Sequence, residues 1–143
     1  MIYTPMTKKA LKLCFETHKD QLDKSGLPYV FHPFHLAEQM TDEDTTVVAL
    51  LHDVVEDSDR TIDDLREMGF SENVISAIEF MTHDPEVPYM DYVAAIKSNP
   101  IAKAVKLADL RHNSDMSRLD NIIPYDEIRA EKYRKSIELL ENS

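Results

Sequence analysis

From Val47 to Asp57 the chain reads Val-Val-Ala-Leu-Leu-His-Asp-Val-Val-Glu-Asp, an apolar run that leads into ionisable side chains. On a helix advancing about 100° per residue, Val47, Leu50, Leu51 and Val54 fall on one stripe. His52, Asp53, Glu56 and Asp57 then share the opposite arc, roughly 140° wide, with Ala49 among them and Val48 and Val55 on a flank. A lone His-Asp pair in such a setting reads as an ordinary amphipathic helix with one wetted face. An imidazole and three carboxylates turned to one place, on a helix apolar enough to lie deep, read as a site.

The rest of the composition sets what can surround that stretch. With 2 glycines in 143 residues, 30% charged residues and 43% hydrophobic ones, the sequence predicts an all-α bundle with short connections, a single domain over residues 1–143. The net charge of −11 excludes a broad nucleic-acid surface, which needs a basic footprint. A small anionic substrate then requires a local positive patch or a metal. Cys14 is the only cysteine and reads as packing. No apolar run approaches the roughly 18 residues of a membrane span. Lys8, Lys9 and Lys12 precede any sustained apolar segment, unlike a signal peptide. A cytoplasmic protein with no membrane or nucleic-acid partner is expected. The oligomeric state is not written in the sequence.

Along the chain, Thr4-Pro5 predicts an N-cap and the first turn of a helix running to about Asp20. Residues 21–31 form an ordered loop around Lys24-Ser25-Gly26, and His32-Pro33 opens a short helix to about Met40. Asp42, Glu43 and Asp44 suit the positive end of the central helix. Thr61 and Asp64 predict a capping box for a helix ending at Gly69. Ser71 caps the next, with Val74, Ile75, Ile78 and Met81 inward. A loop from His83 to Pro88 leads to a helix from Tyr89 to Ser98. Asn99-Pro100 starts another that reaches about Met116. After a connection at 117–124, a charged helix turns Tyr133, Ile137 and Leu140 inward. No strand is expected.

On the helix from Ile101 to Met116, Ala102, Val105, Ala108 and His112 share a stripe with Asp109 in its middle. A buried carboxylate needs a cation or several donors. Pairing with Arg111, a cap, or a different helix rotation would each satisfy it, and so would a divalent metal. Lys106 and Asn113 lie on the same side. Lys97, Lys103, Lys106, Arg111 and Arg118 give this region a positive bias suited to phosphates, or merely a solvated face.

Four stretches together resemble the HD-domain metal-dependent phosphohydrolases, and among these the hydrolase domain of the RelA/SpoT family and the small stand-alone alarmone hydrolases. They are His18 through Gln21 to Gly26; Pro28-Tyr29-Val30-Phe31-His32-Pro33; Leu51-His52-Asp53-Val54-Val55-Glu56-Asp57-Ser58-Asp59; and Val105-Lys106-Leu107-Ala108-Asp109 with His112-Asn113. The resemblance implies that His32, His52, Asp53 and Asp109 hold one divalent metal, Mn²⁺ being the usual ion. Glu56 and Asp57 are then the catalytic carboxylates, while Lys24, Lys106 and Asn113 contact the nucleotide. The implied reaction removes the 3′-pyrophosphate of guanosine tetraphosphate or pentaphosphate. The chain has no room for the synthetase domain of the long family members.

Independently, two imidazoles and two carboxylates suit Mn²⁺, Fe²⁺ or Zn²⁺, and phosphoryl transfer needs charge neutralisation and positioning above all. His18 is expected to order the loop, His112 to brace Asp109, and His35 and His83 to lie at the surface. Two positions depart from the family pattern. Asp23 stands where an Arg precedes Lys-Ser-Gly, and Leu110-Arg111 exchanges the usual order after the metal-helix Asp. Another nucleotide or phosphorylated dinucleotide is therefore the alternative substrate. A nucleotide-binding regulatory domain without turnover is a further reading, against which the paired Glu56 and Asp57 count.

Overall fold

A computed structural model describes residues 1–142. Helix α1 (Pro5–His18) starts at a reciprocal cap, in which Thr4 Oγ1 accepts from the Thr7 N–H at 3.1 Å and Thr7 Oγ1 from the Thr4 N–H at 2.7 Å. It ends two residues earlier than the sequence predicts. Burial pushes the Cys14 thiol on its inner face up to about 12, helped by the charge of Asp53, so the group is inert packing.

The loop that follows is built on one carboxylate. Asp23 Oδ1 accepts from the backbone N–H groups of Ser25 (2.9 Å) and Leu27 (3.0 Å) and from the Ser25 hydroxyl (2.7 Å). Gly26 supplies the positive φ of +82° that closes the turn. Among the described residues the nearest thing to a strand is an isolated antiparallel bridge between Leu22 and Pro28.

Helix α2 (Phe31–Glu38) delivers His32, and α3 (Glu43–Leu51) begins at Asp42, whose Oδ1 accepts from the Thr45 N–H at 2.8 Å. Here the structure corrects two expectations. Every residue of α3 from Thr45 to Leu51 is buried, Ala49 included, so the helix has no polar arc of its own. Nor does it run to Asp57: it stops at Leu51, and a single turn, α4 (Val54–Asp57), follows. The joint is made by His52, whose Nδ1 donates to the Ala49 carbonyl at 2.7 Å, and by Asp53 at φ −107°, ψ 2°. The ionisable residues thus gather beyond the end of a wholly buried helix.

Helix α5 (Ile62–Glu67) carries the Thr61–Asp64 capping box. It closes on Gly69 (φ +95°), whose N–H reaches Arg66 O at 3.1 Å while the Phe70 N–H reaches Leu65 O at 3.3 Å. Helix α6 (Glu72–Met81) is capped by Ser71, α7 (Tyr89–Ile96) follows Pro88, and α8 (Pro100–Asn113) begins where Asn99 Oδ1 accepts from the Ala102 N–H at 3.0 Å. Instead of continuing to Met116, α8 ends at Asn113. The Ser114 hydroxyl turns back to Leu110 O at 2.6 Å, and Asp115 caps a 3₁₀ turn at Met116–Arg118. Helix α9 (Pro124–Glu141) completes the chain and buries Leu140, with Tyr133 and Ile137 partly covered.

α3 lies at the centre, packed by α1, α2, α6 and α8, and α8 is in turn backed by α9 and α7. Leu36, Leu50, Leu51, Ile75, Ile78, Ile96 and Leu110 are fully enclosed. Each such side chain contributes about 1.5–3 kcal/mol of burial free energy. That shared core holds the ends of α3 and α2 and the middle of α8 against one another, which is where the site forms. Among the described residues no helix is long and apolar enough to cross a membrane.

Candidate metal centre

Three buried side chains from three helical segments meet at that junction. His32, His52 and Asp109 each offer a ligand atom, and these atoms all lie within 4.8 Å of one another. His32 Nε2 is 2.8 Å from Asp109 Oδ1. His52 Nε2 lies 3.3 Å from Asp53 Oδ2 and 3.7 Å from Asp109 Oδ1, in hydrogen-bond geometry with neither. Because the Ala49 carbonyl can only accept, His52 must carry a proton on Nδ1, and its neutral form then points an Nε2 lone pair into the cluster.

The charges around the cluster favour a cation. Burial works against a charged His52, yet Asp53 and Asp109 outweigh it and hold the imidazole pKa well above its ordinary value. Burial likewise opposes the Asp109 carboxylate, but Lys106, His32 and His52 keep its pKa well below the usual range. Lys106 Nζ donates to Asp109 Oδ2 at 3.0 Å and lies 5.4 Å from the centre of the Tyr92 ring. Asn113 Nδ2 donates to Asp109 Oδ1 at 3.2 Å. Pairing with Arg111 is ruled out, since that side chain bonds Glu141. An orphaned His52 Nε2 beside a second imidazole and a buried carboxylate is a donor set that fits a divalent metal.

Asp53 borders the same cavity, of about 220 Å³, but lies outside the three-residue cluster. Its Oδ2 accepts a hydrogen bond from the Tyr29 hydroxyl. Tyr29, unassigned by sequence, packs between His18 (ring centroids 4.9 Å apart) and His32 (5.6 Å). Its position three residues before His32, within one of the matching stretches, is the signal that could have found it.

The two other carboxylates separate. Glu56 faces the cavity, and its Oε1 accepts from the His83 N–H at 3.0 Å. Although Glu56 reaches solvent, partial burial of its carboxyl raises its pKa; the His83 N–H opposes this and Asp53 and Asp57 reinforce it. Asp57 does not line the cavity. Its Oδ2 accepts from Gln21 Nε2 at 3.3 Å, and Gln21 Oε1 in turn accepts from His18 Nδ1 at 2.9 Å. Buried His18 thus ties the loop to α4.

His83 is half-buried and lines the cavity, contrary to the surface position expected of it. His112 does not brace Asp109. Its Nδ1 lies 2.6 Å from His32 Nδ1, and its ring lies nearly parallel to that of His32, centroids 4.9 Å apart, and meets exposed His35 at a tilt, 4.3 Å away. Burial, with His32 and Arg118 nearby, lowers its pKa to about 4. The positive bias of α8 also disperses. Lys97 bonds Asn142, Arg111 bonds Glu141 and Lys103 lines neither cavity of the site, so of the five only Lys106 and Arg118 stand on the functional side.

A second cavity, of about 340 Å³, adjoins the first through Tyr29, His32 and Asn113. Lys24, Arg118 and Arg129 line it; the sequence pointed to Lys24 by resemblance and to Arg118 only as part of a positive bias, and not to Arg129.

No protein-family model matches the chain. A guanosine-3′,5′-bis(diphosphate) 3′-pyrophosphohydrolase of Aquifex aeolicus is 31% identical over 140 residues, 90% of this chain and 19% of its own length. The proteins of the same name designated MESH1 are 38% identical in Mus musculus, over 73% of this chain and 66% of theirs, and 32% identical in Danio rerio, over 80% and 71%. The chain thus spans about a fifth of the Aquifex protein and about two thirds of the mouse one. With this degree of identity across most of a relative's length, on an all-helical bundle with the His52-Asp53 pair at its centre, the chain belongs to the RelA/SpoT-like family of HD-type hydrolases.

Proposed function

We propose that the chain is a single HD domain that removes the 3′-pyrophosphate of guanosine tetraphosphate or pentaphosphate, giving GDP or GTP and pyrophosphate. The observation that carries this reading is the convergence of His32, His52 and Asp109 in a buried cluster, with Glu56 facing the same cavity. The names of the relatives supply the substrate.

His32, His52 and Asp109, with Asp53 beside them, would hold one divalent ion, for which we favour Mn²⁺. When bound, such an ion supplies positive charge and Lewis acidity. Lys106 adds a further positive charge at the cavity wall. In the reaction, water attacks the phosphorus bonded to ribose O3′, the P–O3′ bond breaks, and pyrophosphate leaves. Glu56 takes the proton released from the water, and a proton returns to O3′. Its raised pKa and its place at the cavity suit Glu56 to the role of base. Asp57, engaged by Gln21, helps hold the loop that carries Tyr29 towards the metal ligands. Asn113, at the wall between the two cavities, and Lys24, in the outer one, would contact the nucleotide.

Incubation of the Mn²⁺-loaded protein with guanosine tetraphosphate, followed by chromatography, is expected to give GDP and pyrophosphate. Glu56→Gln should retain the metal and lose about 10²–10⁴-fold in kcat, the range for removing a general base. Full activity in that variant would remove Glu56 from the mechanism. One observation favours a second substrate: Asp23, in place of the family's Arg, lines the outer cavity. Hydrolysis of a different nucleotide, with none of guanosine tetraphosphate, would establish that reading. Tight nucleotide binding with no turnover of any substrate would make the chain a regulatory module.

A further inference from the structure

Behind the metal cluster two imidazoles meet edge to edge. His32 Nδ1 and His112 Nδ1 are 2.6 Å apart, the ring centroids are 4.9 Å apart, and the ring planes differ by only 10°. The centroid separation exceeds the N···N distance by no more than the two ring radii. Both nitrogens therefore lie on the line that joins the ring centres, and the two rings share one plane. That is the arrangement of a straight N–H···N hydrogen bond and not of a stack. Two bare lone pairs would repel at such a distance, so one Nδ1 donates and the other accepts.

The ligand role of His32 decides which is which. Its Nε2 is the atom that faces the cluster, 2.8 Å from Asp109 Oδ1. An imidazole that gives its Nε2 lone pair to a metal keeps its proton on Nδ1. His32 is then the donor, and His112 Nδ1 the acceptor. A ligating imidazole whose far N–H is held in this way is fixed in tautomer and ring orientation, and becomes more basic towards the metal. His52 is held in the same manner by the Ala49 carbonyl, which meets its Nδ1 at 2.7 Å. For His32 the acceptor is a side chain 80 positions away, on the helix that also carries Asp109. The backbone of His112 is itself anchored, since Arg118 Nη2 donates to its carbonyl at 3.1 Å.

We infer that His112 is a positioning residue for the metal: its Nδ1 accepts from His32 Nδ1 and so holds His32 in the tautomer and rotation that present Nε2 to the ion. Helix α8 thereby supplies one ligand, Asp109, and aligns a second that arrives from α2. The inference rests on the reading of the cluster as a metal site.

Two measurements on the full chain test it. In the first, Mn²⁺ is titrated and the free ion is followed by electron paramagnetic resonance. His112→Leu keeps the bulk and removes the acceptor, and should weaken Mn²⁺ binding about 10–100-fold. His112→Asn places an amide oxygen close to where Nδ1 stood, and should recover most of that affinity. Undiminished binding in His112→Leu, or equal losses in the two variants, would overturn the inference. The second measurement needs no substitution. ¹⁵N NMR of the Zn²⁺-loaded chain should show His32 protonated at Nδ1 and His112 Nδ1 without a proton. A His32 proton on Nε2, or a proton carried by His112 Nδ1, would overturn it equally. Failure of the unaltered chain to bind either ion would sink the metal reading itself, whereas normal binding with His112→Leu unaffected would sink only the role of His112.

Discussion

Asp109 is where the opposing forces are largest. Its side chain is 8% exposed, and Lys106, 12% exposed, is its partner. Removing one member of such a pair leaves a buried charge uncompensated, at about 3–5 kcal/mol. Asp109→Ala should therefore destabilise the metal-free protein by about 3 kcal/mol in urea titration, beyond abolishing metal binding. Adding Lys106→Met should recover most of that loss, because the stranded ammonium is gone. A double variant no more stable than the single one would mean that Lys106 is not the charge Asp109 neutralises. The sequence showed that Asp109 needed a cation, because a carboxylate stood amid apolar neighbours. Helical spacing already placed Lys106, three residues before Asp109, on the same side, whereas Arg111, two residues after it, turns away to Glu141. The sequence could not pair Asp23 with Arg118, which lie 95 positions apart.

At the scale of elements, the N-caps and glycine stops were the most legible features. Thr4, Thr61, Ser71 and Asn99 cap the helices that the sequence starts at those residues, and Gly69 follows the end of α5. These signals are local hydrogen-bonding choices, so sequence alone carries them. The break between α3 and α4 was not legible, because no Gly or Pro marks it. It comes from the His52 side chain bonding its own backbone at Ala49, and from the depth at which α3 is packed. Asn99 has the greatest leverage among the caps, since α8 carries Lys106, Asp109 and Asn113. Asn99→Ala should cost about 1 kcal/mol and lower Tm by about 2–4 °C. Differential scanning calorimetry reads this directly; an unchanged Tm would show that the cap adds nothing to α8.

For the molecule as a whole, an acidic helical bundle places four cations, Lys24, Lys106, Arg118 and Arg129, around two joined cavities. The all-α class followed from sparse glycine and helical periodicity, and the core from the apolar stripes. What remained hidden was which polar side chains outside the matching stretches would reach the centre: His83 from a loop, Arg118 from a 3₁₀ turn and Arg129 from the last helix. The most direct test of the whole reading is a crystal of the protein grown with Mn²⁺ and measured for anomalous scattering. One peak is expected, within bonding distance of His32, His52 and Asp109 and bordered by Asp53. A peak held by other residues, or no peak at saturating Mn²⁺, would contradict it.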